Sequence, residues 1–583
     1  SWSSSLSDDW VKHRFLLFVC ALVLAARAAG EVVLEADGAQ SSLKDNLLSR
    51  LSLNAEPCDA PVWRVRRLFA RAEKEFDPAL RAFGFYQAKV EKNLTTGGDC
   101  WQARFVVTLG APVTIRKRDV VVLGDATGDK RLTELLASLP LPEGAVLNHA
   151  KYEEIKEQLR VFAAERGYLD FEFTRQQLRV YPDDAVAEID IEAQSGPRYR
   201  FGELRFSKQA LDEDFVRKLA KAREGEPFHS RKLAAIDRRL SDGGYFSRVE
   251  VRPRRDEAVD ESVPIDIVLE SADRHVWRAG AGYATDTGAR VSFGYDNRYI
   301  NPKGHRFSSN LRLSPVESSL IADYLVPGED PHRENFSFGA RLLHEDTDSR
   351  ESDSASLIAR QTIKTGTWTH TRFLELLYEK SLVGNDSTTA TLLMPGYRIE
   401  RTKADNVLQT AHGYRVSLEV RGSSESLLST VTMLQLRGNA KGIHRFGEGG
   451  RVTGRVDIGT TIGEDVTNLP GSLRFFAGGD NSVRGYAYES LGPVDATGLP
   501  EGGRNLLVGS IEYEHPVVED EWWVAAFVDG GNAFSSEEFE PRYGYGVGIR
   551  WYSPVGRVRL DFAVPDDTDK DEWRLHFGLG ADL

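Results

Sequence analysis

Residues 474–492, RFFAGGDNSVRGYAYESLG, hold one internal cation, Arg484, among four glycines and four aromatics. Acidic residues that would answer it follow downstream. Ser510, Glu512 and Glu514 alternate along one stretch, and Phe527 and Asp529 share a phase on the next. A guanidinium between carboxylates makes charge-assisted, forked hydrogen bonds, and its flat face stacks on an aromatic ring. Val483, Arg484, Gly485 and Tyr486 are therefore a candidate binding motif, with Glu512, Phe527 and Asp529 as its anchors. The chemistry is that of a lock, not of a reaction. Spacing alone leaves two placements open: a loop folded into an enclosed lumen, or a solvated loop whose acidic neighbours line a wet lumen without it.

Other chemistry finds little footing. The 12 histidines are scattered, with no HxxxH or HExxH, and there is no CxxC, so neither a metal nor another cofactor is expected. His275, His370, His412, His515 and His576 form no grouping in sequence with a nucleophile, and no enzyme is expected. A net charge of −14 argues against nucleic acid as a partner, because phosphate binding needs basic clusters.

The elements that would position Arg484 are strands. After Asp273 apolar and polar residues alternate: Val291, Phe293 and Tyr295; Tyr545, Val547, Ile549 and Trp551; Leu575, Phe577 and Leu579. Segments of about ten residues with this period, separated by turns, are the mark of a transmembrane barrel. Sixteen such segments are expected at 273–583, antiparallel, with 461–504 as an inserted loop. That loop is far beyond the roughly 12–15 residues usual between elements. Tyr295, Trp368, Trp522, Trp523, Trp551 and Tyr552 stand near strand ends, where interfacial aromatics would sit. A soluble sandwich or propeller is the competing reading. The export signal and the alternation that runs to the last residues weigh against it.

The first half reads differently. Lys12, His13 and Arg14 precede an apolar run at 15–26 and a small-x-small site, so 1–30 is expected to be a signal peptide. Export places Cys58 and Cys100 in an oxidising compartment, where they are expected to pair. Three places then repeat a charged amphipathic stretch, Gly-aromatic, and an alternating strand. Their glycines are Gly84, Gly167 and Gly244, at spacings of 83 and 77. Three mixed α and β modules of about eighty residues are expected at 31–110, 111–196 and 197–272.

Val483-Arg484-Gly485-Tyr486 is similar to the loop motif of the BamA/TamA insertase superfamily. Gly509-Ser510-Ile511-Glu512 and Phe527-Val528-Asp529-Gly530 resemble its two acidic strand motifs, and the N-terminal repeats resemble POTRA domains. The run FFAGGDNSVRGY, the ending GLG-x-x-Leu and the number of repeats are similar to the translocation-and-assembly-module branch. The cysteine pair departs from the family pattern and touches only the first repeat. The resemblance implies three periplasmic POTRA modules of the order β-α-α-β-β and a barrel in the outer membrane of a Gram-negative bacterium. It implies a factor that inserts autotransporters and other barrel proteins through a seam between first and last strands. Its partners would be unfolded outer-membrane clients, outer-membrane lipids and an inner-membrane-anchored TamB-like protein. Gly280, Gly282, Gly578 and Gly580 are the seam candidates, since glycine weakens strand interiors. A two-partner-type secretion pore or a passive porin is the alternative.

Overall fold

The computed structural model describes residues 31–580 except 99, 287, 407, 448, 519–520, 536–537, 554–555 and 567–572, so the expected signal peptide lies outside the described residues. Module one runs β1 (Glu31–Ala36), α1 (Ser41–Arg50), α2 (Val62–Ala82), β2 (Lys89–Thr95) and β3 (Gln102–Thr108). Module two runs β4 (Thr114–Leu123), α3 (Lys130–Ser138), α4 (His149–Arg166), β5 (Glu172–Tyr181) and β6 (Val186–Gln194). Module three runs β7 (Arg200–Phe206), α5 (Glu213–Ala220), α6 (Ser230–Asp242), β8 (Phe246–Pro253) and β9 (Ser262–Ser271). In each, the last strand lies between the other two.

Local sequence explains these helices. In α4, Tyr152, Ile155, Leu159 and Phe162 fall on one face and are buried, and the Asn148 side chain caps the start by accepting from Ala150 and Lys151 N–H. Gly84, Gly167 and Gly244 take φ of +88°, +84° and +71°, the left-handed turn that releases each helix toward its hairpin. In module one, Cys58 and Cys100 form a disulfide between the segment ahead of α2 and the one ahead of β3.

The barrel begins with β10 (His275–Ala284), β11 (Gly288–Asn297), β12 (Arg306–Leu313), β13 (Glu317–Pro327) and β14 (Glu334–Asp346). It continues through β15 (Arg350–Thr365), β16 (Trp368–Val383), β17 (Asp386–Ala404), β18 (His412–Ser423), β19 (Met433–Arg445) and β20 (Arg451–Gly463). It ends with β21 (Asn505–Val518), β22 (Trp522–Phe534), β23 (Arg542–Ser553), β24 (Gly556–Pro565) and β25 (Arg574–Gly580). These sixteen strands form one antiparallel sheet in chain order from β10 to β25. Apolar side chains such as Ile511, Val547 and Leu575 point outward and are exposed, while Glu512, Gly548 and His576 point inward. Period two corrects one expectation. Trp522 stacks on Trp551 at the outer surface, but Trp523, 2% exposed, and Tyr552 turn inward and pack together by Arg451 instead of joining an interfacial belt.

Module three and the barrel meet at the turns opposite the long loop. Tyr245 donates to the Gly304 carbonyl at 2.7 Å, and Arg239 and Lys221 both pair with Asp330 in the turn between β13 and β14.

Candidate functional site: a plug loop locked to the barrel wall

The connection 464–504 between β20 and β21 folds into the lumen and is held along its length. Arg350 donates to the Gly471 carbonyl, Glu379 accepts from Ser472 N–H at 3.0 Å, and Gln435 donates to the Leu473 carbonyl. Its far end carries Arg484, which is 4% exposed. There Nε and Nη2 fork onto Asp529 at 2.6 and 2.9 Å, while Nη1 reaches Glu512 at 2.7 Å and Asp561 at 3.0 Å. The guanidinium carbon lies 3.3 Å from the Phe527 ring centroid. The backbone N–H of Arg484 also donates to Asp529, at 3.1 Å.

Two glycines permit this approach. A Cβ on Gly544 of β23 would stand 1.8 Å from the Arg484 carbonyl oxygen, so the loop backbone lies on a wall position without a side chain. Gly485 takes φ +97° against the backbone of β24, a turn that a side chain would strain. Tyr486 then donates to Asp566 at 2.6 Å, and Val483 is fully buried with Ala477 and Val508.

The structure extends the site beyond the residues singled out in the sequence. Glu512 also binds Arg550 and Arg557; Glu514 binds Arg557 and Arg451; Asp561 binds Arg550. Four guanidiniums thus face four carboxylates in a buried, charge-balanced net across β20 to β24. In so dry a setting, removing one member leaves a buried charge uncompensated, at about 3–5 kcal/mol. Arg550, Arg557 and Asp561 were visible only as polar positions in alternating strands. Their inward phase was the available signal.

The seam glycines are set otherwise than facing one another. A Cβ at Gly280 or Gly282 would meet Ser292 or Arg290 of β11, and one at Gly578 would meet Arg559 of β24. Each leaves room for a side chain of its paired strand, and Gly580 is paired with Arg557. A further grouping involves His576, which the sequence spacing leaves isolated. Asp286, Asp480 and His576 bring ligand atoms within 4.8 Å of one another, the one such trio among the described residues. His576 uses both ring nitrogens on protein partners, Nε2 accepting from Gly485 N–H at 3.0 Å and Nδ1 facing Asp480, so the trio is built as a hydrogen-bond cluster.

Comparisons with known proteins agree with this architecture. A profile of the Omp85 superfamily domain matches residues 277–583, one described as POTRA domain TamA domain 1 matches 33–109, and a POTRA profile described as surface antigen variable number repeat matches 115–194 and 199–271. The chain is 24% identical over 385 residues to outer membrane protein assembly factor BamA of Nitratidesulfovibrio vulgaris, covering 61% of this chain and 48% of that protein. It is 34% identical over 395 residues to outer envelope protein 80, chloroplastic, of Arabidopsis thaliana, covering 58% and 49%. The chain thus spans about half the length of these two relatives. The crystal structure of BamA from Haemophilus ducreyi lacking POTRA domains 1–3 aligns with a TM-score of 0.69 at 15% identity, over 80% of this chain and 99% of that one. The chain belongs to the Omp85 superfamily, with its barrel in the outer membrane and its POTRA modules in the periplasm.

Proposed function

We propose that this protein assembles and inserts outer-membrane proteins, and that clients enter the bilayer along the boundary between β10 and β25. The observation that carries this reading is that, among the described residues, no backbone ladder joins β10 to β25. Every other neighbouring pair of barrel strands is joined by backbone hydrogen bonds, whereas the sheet starts at β10 and stops at β25. A boundary without a ladder opens at lower cost than any other, and its exposed N–H and C=O groups can template an incoming strand. The name of the relative from Nitratidesulfovibrio vulgaris, an outer membrane protein assembly factor, supports the same activity.

Within that activity, we assign the chain to the TamA type, with autotransporters among its clients and a TamB-like protein anchored in the inner membrane as partner. The support is the match of the first module to the TamA POTRA profile, together with the FFAGGDNSVRGY loop. The proposed work is binding and exchange of strands, and calls for no covalent step. A secretion pore or porin is the second reading, favoured by a 610 Å³ cavity in the lumen lined by Arg341, Arg360, Arg398 and Glu419 among others.

Reconstitution separates the two. The full chain in lipid vesicles should speed conversion of an unfolded barrel client to its heat-modifiable, protease-protected form. Client folding at the lipid-only rate, together with a steady large conductance, would favour the pore.

A further inference from the structure

We propose that Asp480 is the positioning residue that closes the barrel, clasping β10 to β25 and tying their separation to the seating of the plug loop. The inference rests on the assembly reading only for its use; the geometry stands without it.

The hydrogen bonds across the boundary converge on one carboxylate. Phe577 N–H of β25 donates to Thr285 Oγ1, just past β10, at 3.1 Å. The Thr285 hydroxyl in turn donates to the Asp480 carboxylate, 3.1 Å from one oxygen and 3.2 Å from the other. Asp480 N–H donates to Asp286 in the turn after β10, at 2.7 Å. From β25, His576 Nδ1 bonds Asp480, and from β24 Arg559 donates to the Asp480 carbonyl at 3.3 Å and to Asn481 at 2.8 Å. Loop, first strand and last strand therefore meet at a residue that is 6% exposed, where hydrogen bonds are little weakened by water.

The cluster also has a defined protonation pattern. Gly485 N–H is a donor, so His576 Nε2 must present its lone pair, and the ring proton sits on Nδ1 toward Asp480. A continuous path then runs from the Arg484 lock through Gly485 and His576 to Asp480 and Thr285. One feature opposes closure. Burial and then the neighbouring Asp480 carboxylate push the Asp286 carboxyl up to about 6, because a negative charge there is disfavoured beside a second acid. The clasp is thus held by oriented hydrogen bonds around a pair of crowded acids, as a releasable closure should be.

The test reads the boundary directly, in the full chain and without a client. Spin labels at Trp277→Cys and Leu579→Cys, both outward and exposed, report the distance between β10 and β25 by pulsed EPR in lipid nanodiscs. The protein with Asp480 intact should give one narrow distance. Asp480→Ala should shift the open-to-closed ratio by roughly tenfold to a hundredfold, for two or three hydrogen bonds lost. Asp480→Asn should restore closure, because its amide oxygen still accepts from Thr285 and His576 and its NH₂ group faces Asp286 without repulsion. Thr285→Val, which leaves the loop untouched, should open the boundary as well. An unchanged distance in Asp480→Ala or Thr285→Val overturns the clasp, as does an Asn variant as open as Ala. An open boundary with undiminished client assembly would instead overturn the assembly reading while leaving the clasp in place.

Discussion

The wall from β20 to β24 and the boundary from β25 to β10 face the same loop but are closed by different means. The wall has backbone ladders at every step and, on its lumen side, a charge-balanced net centred on Arg484. At the boundary, among the described residues, a threonine, a histidine and a loop aspartate link the two strands, Phe577 N–H donating to Thr285, beside the Tyr283 and Phe577 rings, with no backbone ladder. Ladders lose many bonds together, whereas a few side-chain bonds open locally at small cost. The loop is thus anchored where the barrel is stiff and reaches across to where it is weak. Its anchorage and the closure of the boundary are one mechanical unit.

The largest effect should come from making the boundary resemble the wall. Tyr283→Cys with Phe577→Cys, whose native rings sit 6.4 Å apart, should form a disulfide on oxidation and abolish client assembly until reductant is added. Assembly by the oxidised form would sink the idea that clients pass there. Next comes breaking the anchor. Arg484→Ala strips the shared cation from Asp529, Glu512 and Asp561, at about 3–5 kcal/mol of loop anchorage. The loop at 464–504 should become protease-sensitive and assembly should fall severalfold, while the protein still partitions with membranes. Asp529→Asn should act in the same direction but less, since Ser510 and Arg484 keep part of the bonding. A smaller effect is expected of Gly544→Ala, whose methyl would stand against the Arg484 carbonyl. It should loosen the loop without disturbing the ion pairs on β21 and β22, and proteolysis that matches wild type would show that the wall can give way. Last, Cys58→Ser with Cys100→Ser should remove about 2–4 kcal/mol from module one alone. A change in barrel heat-modifiability would contradict that independence.

Much of this contrast was legible in the sequence, and the unread part has a physical reason. Alternation placed Ser510, Glu512 and Glu514 on one face and Phe527 and Asp529 on another, so an acidic and aromatic pocket for Arg484 followed from a period of two. Gly84, Gly167 and Gly244 marked module boundaries because few other residues take their backbone angles. What stayed hidden depends on stagger between strands. Nothing within a strand says that Arg550 reaches diagonally to Asp561, which faces Gly548, since that requires the register of β23 on β24. His576 and Asp480 are 96 residues apart and meet only once the loop is seated. Trp523 shows the limit from the other side: an aromatic near a strand end suits a membrane interface, but its phase, one residue off Trp522, turns it inward.

Strand length carries one more consequence. β16 and β17 run to 16 and 19 residues, whereas β10 has 10. At about 3.3 Å per residue, tilted strands of that shorter size barely match a bilayer's hydrocarbon thickness, while the longer ones exceed it. Lipid beside the short flank must compress to keep its tails against apolar side chains, and compressed lipid is disordered lipid. The protein would then soften the membrane at the one place along its perimeter where a new strand has to enter.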